Sequence, residues 1–122
     1  MCLTKVYDKI PKRKYGYKVY YKCKGYYYPS SFYGKGRYEM GKSYISPRKK
    51  IIKSNTGKSY VPLFHVFKHL RDAELYADGE DDVTIVKVAM DGIKHYGTQD
   101  GAYASQVPCF VARKIKLIKE VK

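Results

Sequence analysis

The chain has 122 residues and a formal net charge of +14, with 15 tyrosines, no tryptophan and three cysteines. That length suits one domain able to bury a core without metal or disulfide staples, and three cysteines without CxxC spacing argue against a secreted disulfide framework and for a reducing compartment. No stretch approaches the ~20 apolar residues of a membrane span, and the opening MCLTKVYDKIPKRKYG lacks the apolar core of a signal peptide, so a cytosolic protein is expected.

The charge is unevenly spread. Residues 1–60 hold 16 lysines and arginines against Asp8 and Glu39, a net of +14, whereas residues 61–122 hold nine basic against nine acidic residues, a net of zero. Twelve of the tyrosines also fall in residues 1–60. A field concentrated in this way attracts polyanions such as nucleic acid, nucleotides or an acidic surface. Charge that served solubility alone would have no reason to sit in one half or to be interleaved with rings.

In chain order, residues 1–14 end in Pro11-Lys12-Arg13-Lys14 and form a basic lead-in, with a single domain expected over 15–122. From Tyr17 to Lys24 the alternation is strict: Tyr17, Val19, Tyr21 and Cys23 point one way, Lys18, Tyr20, Lys22 and Lys24 the other. This predicts a half-buried strand with a basic outer face. Tyr26-Tyr27-Tyr28 predicts a second strand, paired to the first across a tight turn at Gly25. Residues 29–36 read as a loop carrying Phe32 and Tyr33 between glycines and serines. Residues 38–45 form a short strand ended by Ser46-Pro47, Arg48-Lys49-Lys50 is a second basic cluster, and 54–57 is a turn by composition.

The second half has a different pattern. Tyr60–Phe67 (YVPLFHVF) is expected to be a buried strand. Leu70, Ala73 and Tyr76 or Ala77 are at helical spacing, which predicts a helix over 68–77 that stops at Gly79-Glu80-Asp81-Asp82. VTIVKVAM (83–90) is the clearest strand, and Asp91-Gly92 is expected to turn it into a hairpin with 93–96. A loop over 97–108 leads to CFVARKIKLIKEV (109–121), one long or two short strands whose lysines solvate an edge. The expected fold class is α+β: a mainly antiparallel sheet with one short helix packed on it, in a single compact domain.

Several motifs lose to plainer readings. Gly36–Ser43 matches GxxxxGKS letter for letter. A phosphate-cradling loop, however, needs a buried strand before it and a helix after it, and here Pro47 and the residue preceding it oppose a helix. His65 and His69 are four apart, but with the helix beginning after Phe67 His65 lies on a strand, and no third ligand is nearby, so no metal is expected and His65 reads as a hydrogen-bonded structural histidine. The acidic run 78–82 lacks the alternating oxygen ligands of a calcium loop. No nucleophile-and-base set can be argued from spacing, so no catalytic residue or cofactor is assigned.

The basic-aromatic stretch carries the functional reading, because lysines neutralise phosphates and exposed rings stack on bases. The expected phosphate contacts are Lys18, Lys22, Lys24, Lys35, Arg37 and Lys42, with Arg48, Lys49 and Lys50 as a second cluster. The expected stacking rings are Tyr20, Phe32 and Tyr33. Nucleic acid or a nucleotide is the expected partner, with an acidic protein bound by a basic clamp as an alternative.

The succession GYKVYYK (16–22), YEMGKSY (38–44), LFHVFKHLRDAELYA (63–77), VTIVKVAMDGIKHYG (83–97) and ARKIKLIKEV (112–121) resembles small uncharacterised proteins of phages and large DNA viruses. The resemblance implies a viral accessory protein in the host cell cytoplasm, with countering host defence among its roles, and brings no established active site. A pocket that sequesters a small nucleotide messenger is a further alternative. The strand order is also similar to a minimal ADP-ribosyltransferase core, for which Glu120 would be the late catalytic glutamate; likeness of fold does not establish function.

Overall fold

The computed structural model describes residues 3–29, 36–54, 56–102 and 105–121. Its elements in order are β1 (Lys5–Val6), β2 (Tyr15–Cys23), β3 (Tyr26–Tyr28), β4 (Ser43–Ile45), β5 (Ile52–Lys53), β6 (Ser59–Tyr60), β7 (Phe64–Phe67), α1 (Leu70–Ala77), β8 (Val83–Asp100) and β9 (Gln106–Glu120). The main sheet runs β1-β8-β2-β7-β9-β4, with β3 beside β2, and β8 also pairs with β9. That last pairing closes a circuit, β8–β2–β7–β9–β8. Every pairing in it is antiparallel, and β5 and β6 form a small hairpin of their own.

The closed circuit changes what β2 presents to solvent. Tyr17 and Val19 pack on a cluster with Leu3, Phe67, Ala73, Ile85, Cys109 and Val111. On the opposite face, Tyr20 packs with Val66, Val86, Val88, Phe110 and Leu117. Both faces of the strand are therefore apolar environments along most of its length. The alternation of β2 is correct, but the expected basic outer face survives only at its end: Lys18 is half-buried and Tyr20 is 0 % exposed, whereas Lys22 and Lys24 are exposed. Periodicity sorts side chains between two faces; it does not report that both are covered.

The β2–β3 hairpin forms as expected. Lys24 and Gly25 have φ of 51° and 81°, the double left-handed conformation of the tight turn whose twist suits two adjoining strands. Asp91-Gly92 is a correction: β8 runs straight through it to Asp100. A tight turn there would need positive φ at both central residues, and only Gly92 has it. The pair instead precedes a register irregularity against β9 between Ile93 and His95. The expected loop over 97–108 shrinks accordingly, with β9 beginning at Gln106. The expected strand over 60–67 divides into β6 and β7, broken at Val61-Pro62-Leu63.

The helix lies where its spacing placed it. It packs thinly, with Ala73 its one buried residue and Leu70 and Ala77 at the margin of the core. Asp72 complements the helix dipole in the first turn. Leu3 and Val6 in the basic lead-in are themselves core residues, and β1 pairs with Gly97 and Thr98 of β8.

Candidate functional site

Two places concentrate chemistry. The first is a basic edge. β4 lies against β9 with Ser43 opposite Lys116 and Ile45 opposite Lys114. The Arg113 guanidinium donates to the carbonyl oxygens of Ser46 (3.4 Å) and Arg48 (3.1 Å). Strand pairing thus brings Arg113, Lys114 and Lys116, from the half of zero net charge, beside the cluster of Lys42, Arg48, Lys49 and Lys50. Among the described residues the ion pairs are Lys22–Glu120, Lys42–Glu39 and Lys58–Asp8, so Arg48, Lys49, Lys50 and Lys116 are exposed cations without a carboxylate partner. The sequence signal for the β9 contribution is the alternation of lysine along 112–119, which by itself indicates only edge solvation.

The remaining expected contacts are scattered. Lys22 is engaged with Glu120 at 3.0 Å; Lys42, at the edge itself, is engaged with Glu39 at 2.7 Å. Arg37 is exposed and its guanidinium lies over the Tyr26 ring, 4.3 Å from the centroid. Lys24 occupies the hairpin turn. Phe32, Tyr33 and Lys35 lie outside the described residues. Tyr20, expected to stack on a ligand from the surface, is instead a buried ring within 5.6 Å of Tyr38.

The second place is a cleft between β2 and β7. These strands pair only at Tyr17–Phe67, and β2 next acquires a neighbour on that side at Tyr21, opposite Tyr28 of β3. Val19 between them faces no strand there. The opening is a cavity of about 720 Å³ whose lining includes Lys18, Tyr20, Tyr38, Arg48, Phe64 and His65. Lys18 spans it, its ammonium donating to the His65 carbonyl at 2.7 Å with the Tyr20 and Phe64 rings 5.7 and 5.8 Å away. Burial holds the Lys18 ammonium down to about 8, below its usual 10.5.

His65 Nδ1 lies 3.2 Å from the carbonyl oxygen of Leu63. A carbonyl only accepts, so Nδ1 carries the proton and Nε2 is left with a lone pair. Burial, and then the charge of Lys18, push His65 down to about 3. Among the described residues its Nε2 and the Tyr20 hydroxyl are buried without hydrogen-bond partners, each at a cost of about 1–3 kcal/mol. Burial likewise raises the Tyr20 hydroxyl well above its usual value and pushes the Cys109 thiol up to about 12. An imidazole and a thiol shifted in these directions are a poor base and a poor nucleophile at neutral pH.

Among the described residues, no group of three or more His, Cys, Asp or Glu is placed to share a metal ion, and no helix is long and apolar enough to cross a membrane. No protein-family model, curated protein or solved structure matches the chain.

Proposed function

We propose that this is a binding protein whose basic surface engages nucleic acid through its phosphates. The observation that carries the reading is the β4–β9 pairing, which gathers Lys42, Arg48, Arg113, Lys114 and Lys116 on one sheet edge. Phosphate contacts of this kind give affinity without sequence preference. Burial of Tyr20 removes the one expected stacking ring on β2, so the edge favours backbone contact over reading of bases. The resemblance to virus proteins supports an accessory role in a host cell.

The test is titration of labelled single- and double-stranded DNA and RNA at two salt concentrations. Binding at low salt that falls steeply at the higher salt is the expected result, because neutralised phosphates release counterions. Absence of binding to all four at low salt would end the reading.

A further inference from the structure

We propose that the cleft between β2 and β7 is a binding site for a small, flat monoanion. A nucleoside cyclic monophosphate and an aromatic hydroxycarboxylate share this chemistry. The site is separate from the β4–β9 edge, and the proposal stands whether or not that edge binds nucleic acid.

A closed circuit of strands seals each seam with a hydrogen-bond ladder, yet β2 and β7 share a single register position, Tyr17–Phe67. The seam beyond it stands open, and Lys18 reaches across to the His65 carbonyl. That bond uses one of three ammonium protons. No ion pair holds Lys18 among the described residues, so the remaining protons call for an anion or a strong acceptor.

Charge and shape narrow the class. Lys18 and Arg48 are the basic residues bordering the cavity, and Arg48 is at an exposed position. Glu80 borders it too, which penalises a ligand of higher negative charge. Phe64 and Tyr38, edge to face at 6.2 Å, supply an aromatic wall for a flat body. The volume of about 720 Å³ lies in the range of small-molecule sites, roughly 300–1,000 Å³.

The experiment is calorimetric titration of the full chain with guanosine 3′,5′-cyclic monophosphate and with 4-hydroxybenzoate, with guanosine and inorganic phosphate as controls. Saturable one-to-one binding of either monoanion, with neither control matching it, is the expected result, and the probe that binds identifies the source of the chemistry. Lys18→Met should lose at least about tenfold in affinity, the scale of one charge-assisted contact, whereas Lys24→Met, at the exposed turn, should bind as the parent does. The titration of the parent chain with both probes and both controls needs no variant and keeps the test decisive if Lys18→Met fails to fold. Failure of both probes, equal binding of guanosine or inorganic phosphate, or a folded Lys18→Met that binds normally would each overturn the proposal.

Discussion

His65 is neutral in the folded chain for a geometric reason: its imidazole is buried with its one N–H on the Leu63 carbonyl and the Lys18 ammonium close by. Its folded value of about 3 lies below the usual 6.5. Between those limits the unfolded chain binds a proton that the folded chain does not, so stability falls with falling pH. The contribution is complete above pH 6.5 and is lost progressively as pH falls toward 3. Urea unfolding should show up to about 2.5 kcal/mol of loss between pH 7.5 and 4.5. His65→Gln should flatten that dependence, and an unchanged slope in the variant would assign the effect to other groups. Sequence reading expects a hydrogen-bonded structural histidine here rather than a metal partner of His69, and the contact with the Leu63 carbonyl agrees with it. Its buried, unpartnered nitrogen depends on where β7 packs, which no local pattern reports.

The elements were largely legible and their coverage was not. Alternation placed β2 and the Ala73 face of α1, and the β2–β3 hairpin followed from Gly25 between tyrosine-rich runs. Asp91-Gly92 misled because the dipeptide is compatible with both a turn and an irregular strand, and the long partner β9 decides between them. The β2–β7 crossing shows what the elements demand of single residues. A Cβ on Gly16 would stand 2.3 Å from Val66 Cγ1 and 2.9 Å from the Phe67 carbonyl oxygen, and the latter is backbone that cannot rotate away. Gly16→Ala should cost about 1–3 kcal/mol, read as a lower urea midpoint at unchanged slope. The hairpin predicts the opposite sign. Lys24 is held at φ 51°, a region that costs most residues roughly 1 kcal/mol and asparagine less. Lys24→Asn should therefore raise the melting temperature by a few degrees; a lower one would mean that the Lys24 side chain stabilises the fold in some other way.

Across the whole molecule, composition located the positive charge in residues 1–60, and the sheet then redistributed it. Lys18 went into the cleft, Lys22 and Lys42 acquired glutamate partners, and β9 delivered Lys114 and Lys116 to the edge beside Arg48. Linear sequence could not show that last step, because residues 42–50 and 113–116 meet only through antiparallel pairing. The redistribution makes the proposed interface quantitatively testable. Each lysine that neutralises a duplex phosphate contributes about 0.9 to the slope of log affinity against log salt. Lys114→Gln with Lys116→Gln should therefore flatten that slope on duplex DNA by about 1.8, and Lys22→Gln, whose ammonium already meets Glu120, should change it much less. Equal flattening by the two variants would indicate that net charge governs binding, and the β4–β9 edge would then lose its special standing as the contact surface.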